Sequence, residues 1–438
     1  MELTNEAIGF IGIGALLLFI FLRVPIGITL CSVAIIGIYL ILGESAAIGM
    51  VAQIPYDFTA HWTLSSIPMF LLMGYICYHG GLTTGLFRMA RLWLSWLPGG
   101  LSVASIYGSS LFAAVTGSSL ACTAAMGRIA VPEMLKANYD KGLATGTIAA
   151  AGTIGSMIPP SILLIIYGVF VEESISKLFM AALIPGIMTA VFYSIMVIVR
   201  SWLNPKLAPP VRENITLAKR IYAAKDTWPV VTLILGVFGG LFSGLFTPTE
   251  AGAVGAALSL IIALAKRSLN VPIFFQAVKE TLLTTASIFI IAIGAQLLTR
   301  FFALAGTTEI IADLIASPEY SQLQVVLIIS LILVLLGMLL DPIGIMLLTI
   351  PILLPVLEVR DINLIWFGIL MAKFLEIGFI TPPVGLNVFV VKGIVGDTVP
   401  IQSIFKGVVW FVAMDFIVIA MLIGFPQIVL WLPGYLGS

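Results

Sequence analysis

Two apolar stretches of the sequence are interrupted by adjacent prolines, "GSMIPP" at residues 155–160 and "GFITPP" at residues 378–383. A proline nitrogen cannot donate a hydrogen bond, so earlier carbonyl groups lose their partners, and glycine permits an unwound backbone. Freed carbonyls and Ser/Thr hydroxyls form an oxygen cage suited to Na⁺. We interpret both breaks as cation sites, although a simple proline kink explains either one alone. The candidate ligands there are Thr153, Gly155, Ser156, Pro159, Gly378, Thr381, Pro382 and Asn387.

Two polar turns also lie inside long apolar segments, "TGSSL" at residues 116–120 and "LLDPI" at residues 339–343. Ser118 and Asp341 are residue types favoured at helix N-caps, and helix N-termini inside a membrane attract anions. Both turns are therefore interpreted as the tips of helical hairpins that face a transported ion or solute. The tips add the cation candidates Ser118, Ser119 and Asp341, and the substrate candidates are Thr123, Arg128, Pro160 and Pro383.

Further ionisable residues lie in or beside apolar segments, and one of them, Asp415, is a functional candidate by default because it lies in mid-span. Arg128 either pairs internally or meets an anionic substrate. Lys373 and Glu376 are three residues apart and are expected to pair with each other. Asp415 lies in the middle of an apolar run, "FVAMDFIVIA", and faces either an interior cavity or a partner subunit.

The composition is that of a membrane protein. Of the 438 residues, 60% are hydrophobic and 10% are charged, whereas soluble domains carry about 25% charge. Apolar runs near the spanning length recur along the chain, and the first, residues 7–22, lacks the features of a signal peptide. The formal net charge of zero excludes a basic nucleic-acid surface.

Catalytic chemistry is not indicated by the residue inventory. The three cysteines form no CxxC pair, and the two histidines, His61 and His79, are 18 residues apart. An intramembrane enzyme would need a nucleophile–base or metal set, and the sequence offers none. We therefore expect no enzyme activity and no cofactor, with Na⁺ only as a coupling ion.

The prolines reveal an internal repeat. A shift of 223 residues superimposes four prolines of the first half on prolines of the second, Pro25 on Pro248, Pro132 on Pro355, Pro159 on Pro382 and Pro160 on Pro383. The sequence therefore predicts two homologous halves, residues 1–203 and 229–438, joined by a cytoplasmic linker at 204–228. Each half holds about five spans, a re-entrant hairpin (101–134; 323–357) and a broken helix (142–170; 365–392). The third spans are predicted at 62–80 and 283–303, and the closing spans at 178–202 and 407–432.

Five crossings is an odd number, so the second half should be inverted relative to the first. With both termini outside, 16 of the 21 Lys and Arg residues fall on cytoplasmic segments, as the positive-inside rule requires. Inverted repeats with discontinuous helices at matching positions are typical of secondary transporters with a site near the midplane. The predicted fold class is an all-α polytopic membrane protein built from two inverted repeats.

Four phrases in order, "TGSSLACTAAMGRIAVPEM", "GTIGSMIPPSILLIIYG", "GLFTPTEAGAVGA" and "GFITPPVGLNVFVVKG", resemble the large membrane subunit of tripartite ATP-independent periplasmic (TRAP) transporters, the dicarboxylate-permease type. The resemblance covers essentially the whole chain. It implies a Na⁺-driven elevator in the bacterial inner membrane, in which the hairpins and broken helices form the transport domain and the other spans form the scaffold.

The same resemblance implies two partners, a soluble periplasmic binding protein that delivers an anionic carboxylate solute, and a small four-helix membrane subunit. Fused relatives carry the small subunit at the N-terminus; no such region is seen here, so a separate subunit is expected. The alternative function is a stand-alone Na⁺/anion symporter or Na⁺/H⁺ antiporter of similar inverted-repeat design, with Asp341 as the titratable candidate at a tip.

Overall fold

The computed structural model describes residues 4–210, 216–315 and 320–436, and for residues 312–315 it describes only the backbone. Residues 211–215 of the predicted linker lie outside the described residues. The described chain is helical, without β-strands. The helices of the first half are α1 (Asn5–Phe21), α2 (Ile26–Leu42), α3 (Glu44–Thr59), α4 (Ser66–His79), α5 (Thr84–Leu94), α6 (Gly100–Thr116), α7 (Ser119–Lys136), α8 (Lys141–Thr153), α9 (Ile162–Phe170) and α10 (Ile175–Leu203).

The linker contains α11 (Leu217–Lys225), and the second half follows in the same order as the first. The helices of the second half are α12 (Trp228–Phe242), α13 (Pro248–Ala265), α14 (Val271–Ala305), α15 (Thr307–Ile315), α16 (Gln322–Gly337), α17 (Pro342–Val359), α18 (Leu364–Gly378), α19 (Leu386–Val395), α20 (Ile401–Gly424) and α21 (Gln427–Leu436). A shift of 223 residues carries the bounds of α7 onto those of α17, and the start of α8 onto that of α18.

The second broken helix runs in the opposite direction to the first. α8 begins at the linker face, where the backbone N–H of Asp140 donates to the carbonyl of Leu207 over 2.8 Å. α18 begins at the far face, where the Tyr167 hydroxyl, near the end of α9, donates to the carbonyl of Leu364 over 2.7 Å. The hairpins α6–α7 and α16–α17 therefore enter from opposite faces and present their tips to each other.

Five described helices, α10, α13, α14, α17 and α20, are long and apolar enough to cross a membrane. Two further pairs, α3 with the segment from Trp62 to His79 and α11 with α12, are bent by 59° and 51°. Phe425 and Pro426 separate α20 from α21, so the predicted closing span at 407–432 is two helices. The sequence also placed the third spans at 62–80 and 283–303 and missed the helical segments that precede them, α3 and the first turns of the 35-residue α14.

Candidate functional site

The two hairpin tips line one cavity of about 310 Å³. Tip 1 contributes Gly117 to Leu120, and tip 2 contributes Asp341 to Ile343. The wall opposite the tips comes from α4 and α14, and the hydroxyl oxygens of Tyr75 and Thr284, one from each helix, are 2.8 Å apart. We call this space the tip cavity. It lies between the hairpins and a separate pair of helices, as a solute site between two bodies would.

Tip 1 packs against the first proline break at Gly117, where only a residue without a side chain fits. Gly117 has φ +60°, and a Cβ atom there would lie 2.2 Å from the carbonyl oxygen of Pro160. Ser118 caps α7, its hydroxyl oxygen accepting from the N–H of Ala121 over 3.4 Å. Gly155 packs beneath this residue, with its Cβ position 3.1 Å from the Ser118 carbonyl oxygen. Tip and break therefore form one unit.

The first break carries two buried hydroxyl groups that donate to backbone carbonyls. α8 ends at Thr153, and a short 3₁₀ segment, Ile154–Ser156, follows it. The Thr153 hydroxyl donates to the Ala150 carbonyl over 2.7 Å, and the Ser156 hydroxyl donates to the Thr153 carbonyl over 3.2 Å. Ser156 lines the tip cavity, so its hydroxyl oxygen can accept there, whereas Thr153 is buried outside the lining. This arrangement offers ligands to a cation.

A carboxylate that the sequence analysis did not assign to the site completes this wall. Glu376, on α18 just before the second break, is 2% exposed and lines the tip cavity. Its Oε1 accepts from the Ser119 hydroxyl over 2.7 Å, and its Oε2 is buried without a hydrogen-bond partner among the described residues. Ser156 faces the same carboxylate. An unpaired buried oxygen of this kind costs free energy unless a ligand satisfies it.

Tip 2 caps its helix as the sequence predicted. Asp341 caps α17 by accepting from the N–H of Gly344 over 2.9 Å. Among the described residues, the lining of the tip cavity includes two carboxyl groups, those of Asp341 and Glu376, and no Lys, Arg or His. This part of the lining is acidic and offers no basic side chain to an anionic solute.

The second break packs against the first arm of its own hairpin. Gly378 contacts Gly337 of α16 so closely that a Cβ at Gly378 would lie 2.4 Å from the Gly337 carbonyl carbon. The Thr381 hydroxyl donates to the Ile377 carbonyl over 2.6 Å. The Pro159–Pro160 and Pro382–Pro383 peptide bonds are both cis.

The two breaks differ in their exposure. Pro159 and Pro160 are buried, whereas Pro382 and Pro383 are exposed. The matched prolines therefore meet different surroundings in the two halves, although the repeat predicts the same local sequence for both.

Two predicted residues meet away from the tip cavity. Thr123 of α7 and Asn387 of α19 both face Gly152 of α8, whose Cβ position is 1.8 Å from the Thr123 Oγ1 and 3.2 Å from the Asn387 Nδ2. The Asn387 amide donates to the Ala149 carbonyl over 3.1 Å. The Thr123 Oγ1 and the Asn387 Oδ1 are buried and have no hydrogen-bond partner among the described residues. Neither residue lines the tip cavity.

The expected pair of Lys373 with Glu376 is wrong. The Lys373 amine instead lies 2.5 Å from the Asp415 carboxylate of α20, because it reaches across to that helix while Glu376, one turn later, points to tip 1. Asp415 also accepts from the Tyr193 hydroxyl over 2.7 Å. Asp415 is 1% exposed, so it packs against the Lys373 amine and the Tyr193 hydroxyl rather than facing an interior cavity or a partner subunit.

Arg128 lies outside the tip cavity. It is exposed on α7, nine residues after Ser119 begins that helix, and does not line the cavity. Glu376 was missed because its spacing from Lys373 suggested an intrahelical pair. A carboxylate inside a membrane-spanning segment is a functional candidate by default, and this rule applied to Glu376 would have identified it.

Comparisons with known proteins agree with this architecture. Residues 13–428 match the family described as "Tripartite ATP-independent periplasmic transporter, DctM component". The chain is 30% identical to the C4-dicarboxylate TRAP transporter large permease protein DctM of Vibrio cholerae, with 94% of each chain covered. It is 32% identical to the sialic acid TRAP transporter large permease protein SiaM of the same organism, with 94% of this chain and 96% of that one covered.

The fold also resembles a solved transporter. The crystal structure of the YdaH transporter of Alcanivorax borkumensis matches with a TM-score of 0.64, covering 95% of this chain and 99% of that one. The sequence identity is 13%, so this likeness concerns the fold alone.

Proposed function

The chain belongs to the DctM family of tripartite ATP-independent periplasmic transporters, and from this premise we propose that it imports an anionic carboxylate solute together with Na⁺. It is the large membrane component of such a transporter, not an enzyme. The relatives named for C4-dicarboxylates and sialic acid both carry carboxylate solutes, which supports this solute class. A periplasmic binding protein would deliver the solute, and a small membrane subunit would complete the assembly in the bacterial inner membrane.

The charge of the tip cavity is the observation that carries the Na⁺ proposal. Asp341 and Glu376 would repel an entering anion, and the Coulomb term is large where water is excluded. A cation bound at each tip removes that repulsion before the solute arrives. Cation and solute then favour the same state, and each raises the affinity of the other by the same factor.

We group the proposed Na⁺ ligands into two sites, each of which combines one hairpin tip with the proline break beside it. The first site uses the tip 1 and break 1 oxygens, with Glu376 supplying the charge. The second uses tip 2 and break 2, with Asp341 supplying the charge. The first set is Ser118, Ser119, Thr153, Gly155, Ser156, Pro159 and Glu376; the second is Asp341, Gly378, Thr381 and Pro382. Thr123 and Asn387 form a separate buried pair of acceptors beside Gly152 that suits a further polar ligand.

An elevator movement fits the position of the tip cavity between the hairpins and the α4–α14 wall. The sequence resemblance assigned α10 and α20 to the fixed scaffold. These helices instead pack on the broken helices, through the Lys373–Asp415 pair and the Tyr193 hydroxyl. We propose that α10 and α20 move with the hairpins, and that α4 and α14 belong to the fixed body.

Cation binding can be tested without knowing the solute. We expect NaCl to raise the melting temperature of the detergent-purified protein more than choline chloride at equal ionic strength, because a ligand that binds only the folded state stabilises it. Glu376→Gln should weaken the apparent Na⁺ affinity about 10-fold or more, as losses at metal sites typically do. Glu358→Gln, which changes an exposed carboxylate on α17, is the matched control and should leave the affinity unchanged.

Transport is tested in proteoliposomes that hold the chain with its small subunit. Labelled succinate and N-acetylneuraminate are supplied with the cognate binding protein, and uptake should require an inward Na⁺ gradient. Uptake that persists when choline or K⁺ replaces Na⁺ would refute the coupling. Uptake that needs neither partner would favour the stand-alone symporter instead.

A further inference from the structure

A basic groove lies at the linker face, away from the tip cavity. It lies between α5 and α11, which line it from either side, and has a volume of about 580 Å³. Its lining residues are Arg88, Arg91, Leu92, Ala218, Lys219 and Tyr222. Among these described residues three are cations, one is a phenol and none is a carboxylate. We call this space the α5–α11 groove.

Basic side chains of the groove stay exposed although carboxylates lie nearby. The Arg88 guanidinium is 3.8 Å from the Asp226 carboxylate, and the Arg88 side chain remains 63% exposed. The Arg91 guanidinium lies 2.8 Å from Glu133, a carboxylate that also faces Lys136 at 3.5 Å. Arg88 and Lys219, both exposed, therefore keep positive charge that an anion can use.

Aromatic and aliphatic side chains place the groove at the edge of the bilayer. Trp93 follows Leu92 on α5, donates from its indole to the Arg220 carbonyl over 3.4 Å, and stacks beneath the Arg220 guanidinium at 6.0 Å. Trp96 is 71% exposed, and Leu217 and Ile221 of α11 are exposed as well. Exposed tryptophans beside basic residues are typical of the membrane–water interface. An anion in the groove therefore sits at headgroup depth.

We propose that the α5–α11 groove binds the phosphate headgroup of an anionic phospholipid. The guanidinium of Arg88 and the amine of Lys219 hold the phosphate from opposite walls, and the Tyr222 hydroxyl donates to it. The acyl chains lie along the exposed apolar side chains of α11. Basic clusters on the cytoplasmic side of membrane proteins recognise anionic lipid in this way. A free phosphate shares the headgroup chemistry but gains nothing from the apolar flank.

The bound lipid would tie two connecting segments together. α5 joins α4, which lines the tip cavity, to α6, the first arm of the hairpin that carries tip 1. α11 belongs to the linker between the two halves. A lipid that bridges α5 and α11 restrains the hairpin from outside the site, so it should stabilise the chain whether or not Na⁺ is bound.

The test uses the delipidated protein in detergent, with short-chain phosphatidylglycerol, phosphatidylcholine or inorganic phosphate added. We expect phosphatidylglycerol to raise the melting temperature and to protect α5 and α11 from hydrogen exchange, and neither other addition to do so. The double variant Arg88→Gln/Lys219→Gln should weaken phosphatidylglycerol binding roughly 10-fold or more, given the worth of two basic residues at an anionic surface. The double variant Lys266→Gln/Lys279→Gln removes the same charge from exposed positions outside the groove and should bind normally.

Three results would overturn the proposal. An equal response to inorganic phosphate would make the groove a site for free phosphate. An equal loss in both double variants would reduce the effect to net charge. Protection by phosphatidylglycerol that spares α5 and α11 in the wild-type protein would place the lipid elsewhere, and this readout needs no variant to fold.

Discussion

Replacing Lys373 by methionine is expected to destabilise the protein by about 3–5 kcal/mol, because the substitution leaves the Asp415 carboxylate buried without its counter-charge. The amine and the carboxylate are 2.5 Å apart, and both side chains are 1% exposed. The Tyr193 hydroxyl donates to the second carboxylate oxygen over 2.7 Å, but a neutral donor does not replace a full charge. The ion pair joins α18 to α20, and the hydrogen bond from Tyr193 links α10 to the same pair.

The double variant Lys373→Met/Asp415→Leu separates a lost ion pair from a stranded charge. Replacing a buried ion pair by apolar residues of similar size is often close to neutral, so the double variant should recover most of the stability that the single variant loses. Unfolding by SDS titration in mixed micelles measures both. Lys406→Met, at an exposed position on the same α20, is the control and should change little. A single variant as stable as the wild type, or a double variant no better than the single one, would contradict this account.

Local sequence fixed the positions of the breaks and tips because their causes are local. Proline removes a donor wherever it stands, and Ser118 and Asp341 cap α7 and α17 through hydrogen bonds to residues three positions later. The proline spacing predicted the repeat, and the polar turns predicted the two hairpin tips. The inversion of the halves followed from counting crossings, which requires only the number of spans.

Contacts between distant segments could not be derived in this way. Lys373 and Asp415 are 42 residues apart, and only the packing of α18 on α20 brings them together. The three-residue spacing of Lys373 and Glu376 suggested a plausible pair, but it left out the competing partner on another helix. The same error hid Glu376 as a site residue, since its partner Ser119 is 257 residues away. The different burial of the two proline pairs is also set by their neighbours rather than by their own sequence.

The crossing of α8 and α20 gives the second large expected effect. At this crossing Gly407 lies on the backbone of Gly142 and Gly146, and a Cβ at Gly407 would be 1.9 Å from the Gly142 carbonyl oxygen. Small residues allow membrane helices to approach this closely. The atoms in the way belong to backbone and cannot rotate aside, so Gly407→Ala must push the two helices apart.

We expect Gly407→Ala to cost about 3 kcal/mol, at the upper end of the usual range for overpacking a close-packed interior. Gly424→Ala is the matched control, because it changes the last residue of the same α20, where a Cβ would meet no atom within 4 Å. Alanine is preferred over glycine in helices, so the control should be neutral or slightly stabilising. SDS unfolding titrations of the two variants provide the comparison. Since α8 carries the first break at its end, separating it from α20 should also weaken the Na⁺-dependent rise in melting temperature. If Gly407→Ala unfolds at the same SDS concentration as Gly424→Ala and keeps its full response to Na⁺, the crossing is looser than the structure indicates.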